Sequence, residues 1–597
     1  MQLETIDWII VILFFVISLA IGLYSSKTAG KSLTEFFLSG RNMPWWLLGI
    51  SMVATTFSSD TPNLVTDIVR KNGVAGNWVW WAFLLTGMLT VFLYARLWRR
   101  SKVLTDLEFY EIRYGGKGAA FLRGFRAIYL GFLFNIMVMA TVCLAAIKIG
   151  AVLLGLSSFE TLFIASLITV VYSSLGGLKG VIITDFFQFL LAIGATIAAA
   201  IFILNLPQIG GLTNLLNHSA ITPKLSLIPP SNTEIFITIF LIPIAVQWWS
   251  VWYPGAEPGG GGYISQRMLS AKDEKNAVWA TLLFNFMHYA IRPWPWILIA
   301  LASIIVFPNL QSLQQAFPTI DPSVINDDLA YPAMLSYLPT GLLGLMVASL
   351  VAAFMSTISS HLNWGSSYIV NDFYKRFINP KASEKKLVLY SRLSTILLMV
   401  LSGALALALS NALQAFQILL QIGAGTGLLF ILRWFWYRIN IYSELTAMVV
   451  SFLVAVYFQI IHTNLGFAEI ESVIQLLLGV GITTVFWVGV TLLTKPEKEQ
   501  TLFQFYHLIQ PAGIGWSKIR QKALSKEGQL KSKASQWDIT NGIICMLLGS
   551  VAIYSILFGT GFLLYNQQSL FLITLIIATV SLVLLFWVWK KFKSGVH

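Results

Sequence analysis

The stretch Trp45-Trp46-Leu47-Leu48-Gly49-Ile50-Ser51-Met52-Val53-Ala54-Thr55-Thr56-Phe57-Ser58-Ser59-Asp60-Thr61-Pro62-Asn63 decides how this chain folds. It begins as an apolar run of the kind that crosses a bilayer, where about 20 residues suffice as a helix. Its middle then crowds hydroxyl, Asp and Asn side chains around Pro62. Such side chains compete for the backbone's hydrogen bonds, and proline removes a donor altogether. In lipid every backbone polar group must be satisfied within the protein, so a helix that breaks at membrane depth usually lines a cavity or a site.

Working outward, comparable apolar stretches lie near residues 8–24, 45–67, 77–98, 127–155, 157–175, 180–205, 233–254, 277–307, 339–371, 387–409, 411–432, 442–461, 471–493, 539–564 and 569–589. They predict an all-α polytopic membrane protein of about 15 spans. The runs are continuously apolar, which excludes transmembrane β-strands with their alternating pattern. Composition agrees: 57% of the 597 residues are hydrophobic and 11% charged, against about 25% charged in a soluble domain. A multi-domain soluble enzyme is excluded. Cys143 and Cys545, the two cysteines, sit in apolar runs and exclude a disulfide scaffold or thiolate cluster.

The net charge of +13 is a topology signal rather than a nucleic-acid patch. Lys27, Lys31 and Arg41 follow the first span; Arg99, Arg100, Lys102, Arg113, Lys117 and Arg123 follow the third. Arg267, Lys272 and Lys275 follow the seventh, and Lys375, Arg376, Lys381, Lys385 and Lys386 the ninth. By contrast, 308–338 holds Asp321, Asp327 and Asp328 and no base. Bases gather in cytoplasmic loops, so the expected orientation in the cell membrane has the N-terminus outside and the C-terminus cytoplasmic. Glu4 and Asp7 before the first span, with no base, argue for an uncleaved helix over a signal peptide. The stretch 495–538 reads as a solvated or interfacial linker.

A second interruption follows the span near 233–254: Gln247-Trp248-Trp249-Ser250-Val251-Trp252-Tyr253-Pro254-Gly255-Ala256-Glu257-Pro258-Gly259-Gly260-Gly261-Gly262 cannot stay a regular helix. The two broken spans are five apart, which gives two five-helix halves of opposite orientation. An inverted repeat with matching broken helices points to a secondary transporter with a midplane site. The expected organisation is an extra N-terminal helix and loop (1–44), a first repeat (45–206), an extracellular connection (207–232), a second repeat (233–438), extra helices (439–494), the 495–538 linker, and two last helices with a basic tail (539–597).

Polar residues inside spans are functional candidates. The ninth span carries Ala353-Phe354-Met355-Ser356-Thr357-Ile358-Ser359-Ser360-His361. Most such hydroxyls bond to the preceding turn's carbonyl. Ser356 and Thr357 differ because a nearby broken helix has free carbonyls to offer, and hard cations, sodium among them, take oxygen ligands.

Four stretches resemble the sodium/solute symporter family over roughly residues 8–440. They are Trp45-Trp46 to Ala54; Thr105-Asp106-Leu107-Glu108-Phe109 through Arg113-Tyr114-Gly115-Gly116; Tyr172 to Val181 with Thr184, Asp185 and Gln188; and Gln266-Arg267 to Lys272. The resemblance implies a leucine-transporter-type 5+5 inverted repeat, here with one extra N-terminal and about four extra C-terminal helices. It also implies a Na+ site formed by the carbonyls of Ala54, Phe57 and Ala353 and the hydroxyls of Ser356 and Thr357. Asp185 matches a family aspartate on the ion path, with a role in capping or helix packing as the alternative.

Solute contacts are expected from Asp60, Asn63, Gln247, His288, Arg292 and Gln417. Gln417 falls near a family glutamine that contacts sugars, and His288 falls where sugar carriers have lysine. Asp60 and the long tract Tyr253–Gly262 depart from the family pattern. Asp60 and Arg292 are left with two roles, pairing with each other or meeting a charged solute. The expectation is a sodium-coupled symporter and not an enzyme. Its solute is a sugar or sugar derivative, the alternatives being a carboxylate, sugar acid or amino acid, or a channel. The six histidines show no metal-ligand spacing, and neither the solute nor the oligomeric state is readable.

Overall fold

The computed structural model describes residues 3–251, 257–318, 325–408, 424–468, 470–526 and 538–593. Among them the chain is helical, with no strand beyond an isolated bridge between Met43 and Ala271. Eleven helices are long and apolar enough to cross a membrane among the described residues, which makes this a multi-pass membrane protein.

The long helices are fewer than the apolar stretches for definite reasons. The stretches near 157–175 and 180–205 are two helical arms of one element, Ser158–Leu204, which meet at a kink where Gly177 leaves helical geometry. Two others are cut short: Trp45–Thr55 and Phe236–Ala245 are apolar helices of sub-spanning length. The stretch near 411–432 lies mostly outside the described residues.

Six elements position the site. They are α1 (Thr5–Ala29), α2 (Trp45–Thr55), α3 (Thr61–Asn72), α4 (Ser158–Leu204), α5 (Glu274–Val306) and α6 (Leu342–Ser367). Bent α4 packs against α1, α2 and α6 at once. The first part of α5 lies on α2, and its second part, from Pro293, lies on α3. The break between α2 and α3 therefore faces the place where α5 is itself irregular. There a π-type turn over Met287–Ile291 runs into Arg292, Pro293 and Pro295.

The α2–α3 break follows from its residues. The Phe57 N–H turns back to the Ala54 carbonyl at 3.0 Å, and Thr61 Oγ1 accepts the Ser58 N–H at 3.2 Å. Pro62, in the first turn of α3, has no N–H to carry the ladder backwards. α3 starts afresh from Asp60.

The bend in α4 depends on glycine. Gly177 has φ +54° and ψ −160°, a region essentially closed to other residues. A Cβ there would sit 2.7 Å from the Phe36 carbonyl oxygen. We expect Gly177→Ala to cost about 1–3 kcal/mol of stability from strain and overpacking. Gly194→Ala, on the same helix with nothing near its added Cβ, should cost nothing measurable; thermal unfolding in detergent compares the two.

Candidate functional site

The α2–α3 break frees main-chain carbonyls, and α6 answers them with hydroxyls. Ser356 Oγ lies 2.9 Å from the Ala54 carbonyl oxygen and 3.1 Å from that of Ala353, while Thr357 Oγ1 donates to the Thr55 carbonyl at 3.1 Å. Ala54, Ala353, Ser356 and Thr357 are buried together. Thr55 thus supplies the carbonyl that Thr357 meets. Phe57 is buried too, but its ring stacks on Trp296 at 5.2 Å and 9°. The donor set is neutral hard oxygen from two elements, which suits a small hard cation. Such an ion would replace the hydroxyl–carbonyl bonds and hold α6 against the broken helix.

Immediately beside it lies a buried charged network. Asp185, on α4, and Arg267, on the helix Gly262–Ser270, are both completely buried and 3.5 Å apart. Asp185 Oδ2 accepts the Ser51 hydroxyl at 2.5 Å. Arg267 Nη2 donates to Thr55 Oγ1 at 3.0 Å and to Ser360 Oγ, its Nε donates to Ser51 Oγ, and Thr55 and Ser360 are hydrogen-bonded to each other. Asp185 Oδ1 has no partner. Asp185 is therefore tied, through Ser51 and Arg267, to the same α2 and α6 turns that carry Thr55 and Ser360.

On the α5 side of the break, His288 and Arg292 meet Thr56 and the Val53 carbonyl. Arg292 Nη1 donates to Thr56 Oγ1 at 3.3 Å and to the Val53 carbonyl at 3.4 Å, and Nη2 lies 3.4 Å from His288 Nε2. A guanidinium only donates, so His288 Nε2 is the acceptor; its proton is at Nδ1, which faces Thr56 Oγ1 at 3.1 Å. Trp80 meets His288 edge-on and stacks on Tyr289. Asn63 is buried with its Oδ1 unpartnered. Gln247 Nε2 donates to the Val79 carbonyl at 3.0 Å. Asp60 is exposed at the start of α3 and forms no ion pair with Arg292. Gln417 lies outside the described residues.

The long tract after the second interruption is anchored by charge. Glu257 is buried and paired with Arg126 at 2.5 Å, and the Gly262 N–H donates to Asp106 at 2.8 Å. Burial pushes the Asp106 carboxyl up to about 6, and the Glu257 carboxylate pushes the same way.

Sequence reasoning missed Arg267 as the centre of this network. The available signal was spacing: Ser51 and Thr55, like Ser356 and Ser360, are one helical turn apart and so share a face.

A membrane helix broken opposite paired hydroxyls, with buried polar side chains on its other side, is an arrangement suited to an ion-coupled carrier. The profile of the sodium:solute symporter family matches residues 36–451. The sodium/glucose cotransporter of Vibrio parahaemolyticus is 25% identical over 485 residues, covering 78% of this chain and 87% of the relative. The sodium/myo-inositol cotransporter 2 of Bos taurus is 28% identical over 478 residues, covering 73% and 67%. In fold, a Na+-coupled sialic acid symporter superposes with a TM-score of 0.67 at 21% identity, over 83% of this chain and 99% of that one. The chain belongs to the sodium:solute symporter family, and it is a sodium-coupled membrane transporter rather than an enzyme.

Removing one member of a buried ion pair leaves the other uncompensated, at about 3–5 kcal/mol. We expect Arg267→Gln to lower the thermal unfolding midpoint sharply, and Arg267→Gln with Asp185→Asn to recover much of that loss. A double variant no more stable than the single one would show that the pair is not what holds these helices together.

Proposed function

We propose that this protein imports a small polar organic solute, a sugar or sugar derivative, by sodium symport with alternating access. The observation that carries the reading is the Ser356 hydroxyl bridging the Ala54 and Ala353 carbonyls across the α2–α3 break. The relatives at 25–28% identity are named for glucose and myo-inositol, which supports a polyhydroxylated solute here.

In this reading sodium occupies the oxygens of Ala54, Ala353, Ser356 and Thr357, with the Thr55 and Phe57 main chain at its edge. It fixes the broken helix and so shapes the recess formed by Thr56, Asn63, His288 and Arg292. Asp60, Gln247 and Gln417 are further proposed solute contacts. The repeats are 45–206 and 233–438 within about fifteen spans, with the N-terminus outside and the C-terminus in the cytoplasm. Once the bundle rocks, sodium leaves past Asp185 and the solute follows.

The energetics suffice. Each sodium contributes roughly 2.3 kcal/mol per 100 mV and about 1.4 kcal/mol for a tenfold gradient. Together that is about 3.7 kcal/mol, or several-hundred-fold accumulation of an uncharged solute.

Purified protein in proteoliposomes should accumulate its solute only with an inward sodium gradient, and saturably, as a channel would not. Ser356→Ala with Thr357→Ala should abolish the sodium stimulation while leaving the thermal unfolding transition cooperative. Sodium stimulation surviving in that variant would place the coupling ion elsewhere.

A further inference from the structure

Among the described residues, most of the buried arginines are compensated by a carboxylate or by several main-chain carbonyls. Arg70 reaches Asp327, Arg100 Glu274, Arg123 Asp372, Arg126 Glu257, Arg267 Asp185 and Arg433 Glu444, each within 3.5 Å. Arg113 has no carboxylate, but three main-chain carbonyls lie 2.9–3.0 Å from it. Arg292 has neither. It is only 2% exposed, and among the described residues no carboxylate lies within 4.0 Å of it. Its three contacts are long, at 3.3–3.4 Å, and one of them is to a neutral imidazole nitrogen. Its Nε is buried without any partner.

Ring faces help a little. The guanidinium lies 5.0 Å from the Trp296 ring and 5.9 Å from that of Phe57. That attraction is smaller than the cost of holding an unpaired cation away from water. Asp60, the acid nearest along the broken helix, points to solvent instead. A cation kept without a counter-ion, at the break that forms the solute recess, is a vacancy of charge that a ligand can fill.

Resting on the symporter reading above, we infer that the transported solute carries a carboxylate and that Arg292 binds it. A carboxylate matches the planar guanidinium fork, taking the free Nε and one Nη together. The Nη contacts to Thr56 and His288 are weak enough to yield. Asn63, whose Oδ1 is free and buried, is placed at the same break to accept from a hydroxyl of the same molecule. A phosphate monoester would bring nearly two negative charges against one arginine, and a carboxylate brings one. The class is a hydroxylated carboxylic acid, such as a sugar acid.

The test is a binding and uptake panel on purified full-length protein. Glucose is set beside glucuronate, galactose beside galacturonate, glucitol beside gluconate, and a set of hydroxy and amino acids beside their amides, with glucose 6-phosphate as the phosphate arm. Thermal shift and proteoliposome uptake are read with and without sodium, for wild type, Arg292→Gln and Arg292→Lys. We expect stabilisation by one or more carboxylates and none by the uncharged partner. Arg292→Gln should weaken that acid by about ten- to a hundredfold, and Arg292→Lys, which keeps charge but loses the fork, should fall between. Preference for an uncharged partner or the phosphate, absence of any carboxylate response, or an acid affinity unchanged in Arg292→Gln would each overturn the inference. Acid binding that depends on Arg292 but ignores sodium would uphold the inference and sink the symport reading instead.

Discussion

A broken helix inside a membrane leaves main-chain carbonyls that lipid cannot solvate, and each must find a donor or a cation. At Ala54 and Thr55 the donors are the hydroxyls of Ser356 and Thr357. Everything else about the site depends on that exchange. A hydroxyl is a weak and replaceable partner for a carbonyl, whereas a sodium ion draws several oxygens inward at once. In the proposed cycle the contact between α2 and α6 would thus have two ways of being satisfied, with the hydroxyl–carbonyl bonds the one seen in this structure. Because α4 touches both helices, and Asp185 on it bonds to Ser51 one turn before the break, a change there is not confined to one pair of residues.

The break itself was legible, because a proline and five neighbouring polar residues inside an apolar run have few other readings. The boundary at Gly176-Gly177 between two apolar stretches was legible too, since Gly177 leaves helical geometry there; that the two arms of α4 join through a kink with no intervening loop was not. Arg267 was hidden differently. With Lys272 and Lys275 beside it the segment looked like an ordinary basic loop, and its partner Asp185 lies 82 positions earlier. Burial of a charge is settled by tertiary packing, which local composition does not encode. The pairing of Asp60 with Arg292 was open on charge alone; the geometry separates them, since Asp60 is exposed at the start of α3 while Arg292 is buried against the Val53 carbonyl and Thr56.

The second interruption solves its hydrogen-bond problem by another route. Where the first break uses hydroxyls, the described residues ending at Gly262 use full charges: Glu257 on Arg126, and Asp106 on the Gly262 N–H. Gly259 and Gly260 adopt φ of +87° and +91° against Tyr94 and Met268, a close fit that no side chain would permit. Charge pairs of this kind are costly to part once buried. The two interruptions are thus unequal in strength. The first is built to exchange partners, and the second is built to hold.

Charge also links the ion site to the recess. A cycle that carries one sodium with an uncharged solute moves a positive charge, so the membrane potential drives it. With a carboxylate at Arg292 the same cycle is electroneutral, and one sodium supplies only its concentration gradient, about 1.4 kcal/mol per tenfold. Accumulation beyond roughly tenfold then needs a second cation. The arrangement around Asp185 bears on this, since its Oδ1 is buried and unpartnered while Oδ2 is held by Ser51 and Arg267. Arg267 already balances that carboxylate, so a further cation beside it would face a guanidinium 3.5 Å from the same group. Either Arg267 swings away when the ions enter, or the carrier works at the lower gradient. In the proposed cycle the strength of the Arg267–Asp185 pair would therefore limit how steeply an acidic solute is concentrated.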